Sequence, residues 1–111
     1  AAPQEPSAVA PSQPGYVQAA VCTALAQRLS ERIGQVERHN GPTPESQALT
    51  GQALLLAERA GARLERARVE EGLTDEGRAA IDERVADRLA EADRAQFENG
   101  VLNCFALFGV D

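Results

Sequence analysis

Apolar side chains recur at every third or fourth position in three separate stretches of this 111-residue chain. This period constrains the fold more than any other feature, because it places those side chains on one face of an α-helix, whereas a strand requires strict alternation. The composition agrees, since one Tyr, three Phe and no Trp leave few of the residues that β-sheets favour. The pattern therefore predicts an all-α fold.

The first helix is predicted over about residues 15–39, where it ends at Asn40-Gly41-Pro42, a left-handed cap followed by a helix breaker. The second is predicted over about 44–71, with Thr43 as N-cap and Pro44 at the first helical position. The core faces of these two helices consist of Val17, Val21, Leu25, Leu29, Ile33 and Val36 in the first, and of Leu49, Ala53, Leu56, Ala60, Leu64 and Ala67 in the second.

The core face of the second helix is a narrow row of Leu and Ala, which we call its seam. Leu54 and Leu55 lie outside this seam, which predicts that the second helix is central and has neighbours on both sides. The third helix is predicted over about 75–98, with Thr74 as its N-cap and Asn99-Gly100 as its stop. Its buried stripe is predicted to contain Ile81, Val85, Leu89 and Ala92.

Residues 101–110 form the most apolar stretch of the chain, and we expect the tail, residues 99–111, to pack back on the helices, because an exposed apolar tail would aggregate. Residues 1–14 contain four prolines among small and polar side chains, which predicts a flexible, disordered leader. The complete expectation is a three-helix up-down-up bundle in a single domain over residues 15–111.

The two cysteines test this geometry. In a straight up-down-up bundle, the end of the third helix lies about 21 Å along the helix axis from Cys22, whereas a disulfide needs Cα atoms about 5.5 Å apart. A helical tail after Gly100 is too short to close this gap, but an extended one is long enough, at about 3.3 Å per residue. A bond within one chain thus predicts an extended tail, and an intermolecular bond or two free buried thiols are the alternatives.

Charge and motifs exclude several functions. A net charge of −6 with acidic and basic residues interleaved argues against nucleic acid as a partner. No apolar run approaches the roughly 20 residues that span a bilayer. His39 is the only histidine and fits a residue that complements the dipole of the first helix, so we expect no metal, no cofactor and no enzymatic activity.

Two charged rows need an explanation. Glu83, Asp87 and Glu91 follow one face of the third helix, where interleaved Arg84, Arg88 and Arg94 are predicted to neutralise them in part. The row formed by Arg59, Arg63 and Arg66 is predicted to pair loosely with acids of the third helix, with an anion-binding patch as the alternative.

The sequence therefore suggests a non-enzymatic interaction protein that binds a protein partner or a second copy in a homodimer. The residues expected to form its surface are Leu54, Leu55, Phe105 and Phe108. One alternative is an acidic inhibitor or immunity-type protein that covers a basic enzyme or toxin with Glu83, Asp87 and Glu91. A further alternative is a carrier of a hydrophobic small molecule. The Ala/Pro-rich beginning resembles a mature end after signal cleavage, so we expect a periplasmic or secreted protein.

Overall fold

The computed structural model describes residues 13–111, and over this range the chain forms four α-helices and no strand. The helices are α1 (Tyr16–Asn40), α2 (Pro44–Glu70), α3 (Asp75–Glu91) and α4 (Arg94–Phe108). The all-α prediction is confirmed, whereas the three-helix count is wrong. The predicted leader lies outside the described residues, apart from Gln13 and Pro14.

The α1–α2 hairpin forms at the position that its capping and helix-breaking residues predict. Gly41 takes a positive φ of 77° after α1, and its N–H donates to the Glu37 carbonyl. Thr43 then caps α2, because its hydroxyl accepts a hydrogen bond from the Ser46 N–H at 3.0 Å. The predicted seam of α2 is confirmed in its small and central positions, since Ala53, Leu56, Ala60 and Ala67 are buried.

The central helix is α1 rather than α2, because α1 contacts each of the other three helices. Its buried face is accordingly shifted from the predicted one. Val17 and Val36 are exposed, whereas Ala19, Cys22 and Ala26 are buried. Helices pack against α1 from more than one side, so small residues that allow close approach are buried in place of the outlying valines.

The predicted third helix is wrong beyond residue 91. Ala92 leaves the helical conformation, with φ −70° and ψ 134°, and Asp93 begins a new helix. The Asp93 carboxylate accepts from the Gln96 N–H at 2.8 Å, while the Gln96 side chain accepts from the Asp93 N–H at 2.9 Å. This reciprocal capping box satisfies two backbone donors and stabilises a chain reversal at this point.

The two short helices run in opposite directions along α1. The Tyr16 hydroxyl contacts Asp82 and Arg28 donates to the Leu89 carbonyl, so α3 runs parallel to α1. Arg32 lies over the Phe97 ring, and Cys22 meets Cys104 farther along α4, so α4 runs antiparallel to α1. The tail therefore packs back as predicted, but as a helix and not as an extended segment.

Gly100 lies inside α4 rather than at a helix end, which corrects the predicted stop. A Cβ atom at this position would lie 3.0 Å from Cδ1 of Leu25, so the absence of a side chain lets α4 approach α1 closely.

The core consists of two clusters of buried side chains. The larger lies between α1, α2 and α4 and includes Leu25, Leu56 and Phe97. The smaller lies between the start of α1, the end of α2 and α3, and is formed by Tyr16, Ala20, Ala67 and Val85. The described part of the molecule is elongated, with extents of 56 × 34 × 23 Å.

Candidate interaction groove

An apolar groove of about 730 Å³ opens between the last turns of α1, the first turns of α2 and one side of α4. We call it the α1–α4 groove. Its apolar lining consists of Leu29, Ile33, Val36, Leu49, Phe97, Val101, Leu102 and Phe105. The groove exists because α4 turns back at Ala92-Asp93 and leaves the end of the α1–α2 hairpin uncovered on this face.

The lining divides into a buried floor and an exposed rim. Ile33, Val101 and Phe105 form part of the floor and are each less than a tenth exposed. On the rim, Val36 is 52% exposed and Leu102 is 63% exposed. Large aliphatic side chains that stay in water beside an apolar groove are typical of a surface that binds another molecule.

Four charged side chains border the groove, and each wall carries one of either sign. Arg32 and Glu45 lie on the wall formed by α1 and α2, and Arg94 and Glu98 lie on the wall formed by α4. The Arg32 guanidinium lies 4.1 Å from the centroid of the Phe97 ring. Arg94 pairs with Glu98 along α4, with Nε and Oε2 3.1 Å apart.

A pair of buried cysteines holds the α4 wall in place. Cys22 of α1 and Cys104 of α4 have Cα atoms 5.5 Å apart, with their sulfur atoms at bonding distance. The predicted proximity of these two residues within one chain is confirmed, whereas the predicted route is wrong. Because the chain reverses at residue 93, the eleven residues to Cys104 return along α1 as a helix of about 1.5 Å rise per residue.

The four residues predicted to form an interaction surface do not lie together. Phe105 is in the floor of the groove and is only 8% exposed, while Leu54 of α2 is 62% exposed and lies outside the groove. Leu55 and Phe108 line a different depression, beside the end of α4. Neither rim residue was predicted: Val36 was expected in the core, and Leu102 was not distinguished from the rest of the apolar tail.

Arg59 and Arg63 of the α2 row donate to backbone carbonyl groups near helix ends, and among residues 13–111 no arginine of the row forms an ion pair with an acid of α3, so the predicted interhelical pairing is wrong. Arg59 donates to the carbonyl oxygens of Phe108 at 2.8 Å and Gly109 at 2.7 Å, which satisfies the end of α4. Arg63 donates to the Pro14 carbonyl at 2.7 Å. Its hydrogen bond to Glu70 lowers the pKa of that carboxyl group.

The acidic row of α3 has two of the predicted arginines close by, since Arg84 and Arg88 line the same depression as Asp87 and Glu91. Glu83, Asp87 and Glu91 are all exposed, and no ion pair within 4.0 Å involves them among residues 13–111. Arg94, which was expected to contribute, belongs to the next helix and pairs with Glu98. The row is thus exposed, and two arginines of its own helix lie beside it.

Tyr16 is only 1% exposed and fixes the start of α1. Its hydroxyl donates to Asp82 Oδ1 at 3.0 Å, and its backbone N–H donates to Glu71 Oε2 at 2.8 Å. Burial, the largest cause, and the hydrogen bond to Asp82, the second largest cause, raise the pKa of the phenol above its ordinary value of 10.0. The group lies far along α1 from the groove and serves the attachment of α3.

Within residues 13–111, no three His, Cys, Asp or Glu side chains are grouped so that they could hold a metal ion. None of the four helices is both long enough and apolar enough to cross a lipid bilayer. His39 is exposed in the last turn of α1, the position predicted for it. Comparisons of the chain with protein-family models, with curated proteins and with solved structures found no match.

Proposed function

We propose that this protein is a non-enzymatic interaction protein that receives an amphipathic helix of a protein partner in the α1–α4 groove. The observation that carries the proposal is the combination of a buried apolar floor with exposed Val36 and Leu102 on its rim. An amphipathic helix inserts side chains at three- and four-residue spacings into such a groove, and flanking charges fix its orientation.

The shape of the groove favours a helix over the other occupants. An extended peptide is usually bound by an exposed strand edge, and residues 13–111 contain no strand. A small-molecule carrier buries most of its ligand, whereas the α1–α4 groove is open to solvent along its rim. The carrier function is therefore less well supported than protein docking.

The proposed setting is an oxidising compartment, the periplasm or the exterior of the cell. The support is the cysteine pair at bonding distance, since such bonds persist where thiols are not kept reduced. The pair also holds α4, which forms one wall of the groove, so the same compartment would preserve the binding surface.

Site-specific photocrosslinking in the organism that makes the chain tests the proposal. A photoreactive amino acid at position 102 should give a covalent adduct with a protein, identified by mass spectrometry. The same group at position 54 is a matched control, because Leu54 and Leu102 are exposed to 62% and 63% and only Leu102 lines the groove. Equal adducts at both positions, or no protein adduct at position 102, would contradict groove binding.

A second function is favoured by one specific observation, the exposed acidic row of Glu83, Asp87 and Glu91 on α3. An inhibitor or immunity-type protein would place this row against a basic enzyme or toxin cleft, and opposite charges would accelerate the encounter. The partner found by crosslinking decides between the two, because reversal of the three acids should abolish the binding of a basic partner and leave groove binding intact.

A further inference from the structure

We infer that the occupant of the α1–α4 groove is a second copy of this chain, bound across a two-fold axis; this inference rests on the function proposed above. The first observation is the position of Leu102. It belongs to the wall of the groove and points into solvent, so the same side chain that borders the groove in one copy is available to fill it in another. An isologous dimer needs a surface of this self-complementary kind.

The exposed face of α4 allows two such helices to approach. Leu102 is flanked along that face by Ala95, Asn99 and Ala106, all of which are exposed. Because their side chains are short, Leu102 projects farther from this face than its neighbours. Two α4 helices that cross near residue 102 can therefore come close while each leucine enters the opposite groove.

The charges of the rim fit the same arrangement. The chain carries a net charge of −6, so two copies repel each other over most of their surfaces. The rim is an exception, because its two arginines balance its two glutamates. When the α4 wall of one copy faces the α1–α2 wall of the other, Arg94 lies toward Glu45 and Glu98 lies toward Arg32, so unlike charges meet at both places.

Sedimentation velocity of the purified full chain under oxidising conditions, over micromolar to submillimolar concentrations, tests the inference. We expect a reversible dimer, and Leu102→Glu should weaken it by about tenfold or more, because each copy then loses a buried leucine. Leu54→Glu is the matched control and should leave the dissociation constant unchanged. Circular dichroism and thermal melting of each variant establish that both remain folded.

A charge-reversal cycle adds a second measurement that packing alone does not explain. Arg94→Glu and Glu45→Arg should each weaken the dimer, and the double variant should recover part of the loss, since the pair is restored with its signs exchanged. A wild-type chain that stays monomeric, a dimer broken equally by Leu54→Glu, or a double variant weaker than both single variants would overturn the inference.

The outcomes also separate this inference from the proposed function. If the purified chain is a monomer and crosslinking at position 102 still captures a different protein, the second-copy inference fails and groove docking stands. If the chain is a monomer and position 102 captures no protein, both fail. A groove-dependent dimer whose crosslinked adduct has twice the chain mass supports both.

Discussion

Tyr16 determines how the first turn of α1 meets the rest of the molecule. Its ring is buried in the smaller core cluster beside Val85, while its hydroxyl reaches the carboxylate of Asp82. Tyr16 thus packs its ring into the core and also makes a polar contact with α3. A buried hydroxyl without such a partner would cost free energy, so the pairing makes the burial of a tyrosine favourable at this position.

Tyr16→Phe should lower the free energy of unfolding by about 1 kcal/mol at neutral pH, because it keeps the ring and removes the hydrogen bond. The raised pKa of Tyr16 means that the folded chain holds the phenol proton more tightly than the unfolded chain. The corresponding stability is complete below pH 10.0 and is lost as the pH rises through the folded pKa.

Urea unfolding at a series of alkaline pH values measures this effect, and absorbance titration of the phenolate reports Tyr16 alone, since it is the only tyrosine. The wild-type chain should lose stability above pH 10.0 more steeply than Tyr16→Phe. Identical slopes for the two proteins would show that Tyr16 does not contribute to the pH dependence.

The cysteine pair joins residues that are 82 positions apart, so it closes most of the chain into one loop. Cys22→Ala combined with Cys104→Ala should lower the free energy of unfolding by about 4 kcal/mol in the chain-entropy model. Denaturant unfolding with and without reductant measures this. Reductant should destabilise the wild-type chain and have no effect on the double variant; equal wild-type midpoints in the two conditions would contradict a structural role for the bond.

Among the elements, the break between α3 and α4 has the largest consequence. The apolar stripe of Ile81, Val85 and Leu89 continues in phase toward Ala92, so periodicity alone favours one long helix. The capping box of Asp93 and Gln96 favours a new helix start. A new helix forms at Asp93, and the long helix does not, because the chain reversal buries Phe97, Val101 and Phe105 against α1 and α2. A single straight helix would leave these side chains exposed.

Asp93→Ala should destabilise the chain by about 1 kcal/mol, because the first N–H groups of α4 lose their acceptor. Asp87→Ala is a suitable control, since Asp87 is exposed on α3 and caps no helix; its effect should stay within about 0.5 kcal/mol. Urea midpoints of the two variants measure the difference. Equal midpoints would show that the cap does not stabilise the α4 start.

The glycines of the helices test how closely the elements pack. A methyl group at Gly51 or Gly61 would meet no atom within 4 Å, so Gly51→Ala and Gly61→Ala should each stabilise the chain by about 0.5–1 kcal/mol. Gly100→Ala should gain less or destabilise, because its Cβ would lie 3.0 Å from Leu25 Cδ1. Thermal midpoints measure the series, and an equal gain at all three positions would rule out close packing at Gly100.

At the scale of the whole molecule, the two core clusters are unequal in strength. The larger joins α1, α2 and α4 and contains the cysteine pair. The smaller holds α3 with one buried side chain of that helix, Val85, and with the Tyr16 hydrogen bond. The stability of the fold is therefore unevenly distributed, and α3 is the element held by the fewest buried contacts.

Hydrogen exchange should accordingly be faster in α3 than in the central turns of α1 and α4. Val85→Ala should accelerate exchange across α3 and leave the protection of α4 unchanged, because the two helices belong to different clusters. Exchange measured by mass spectrometry or NMR resolves the helices. Uniform protection of α1, α3 and α4 would show that the molecule opens only as a single unit.

The sequence by itself determined the helical class and the start and end of α1 and α2 to within about one residue. These features follow from local rules: caps, prolines and glycines act over a few residues, and the seam of α2 repeats along one face. Asp93 and Gln96 also indicate the start of α4 by a local rule. The apolar stripe that continues across this point favoured one long helix, so the start was not predicted.

Only the tertiary structure decided which apolar side chains remain in water. Val36 and Leu102 are aliphatic and occur at the spacing that is typical of core residues. They are exposed because α4 reverses and covers only part of the α1–α2 hairpin. Burial depends on how many helices surround a position and from which side. The period of a single helix contains no such information, so the α1–α4 groove could not be predicted from the sequence.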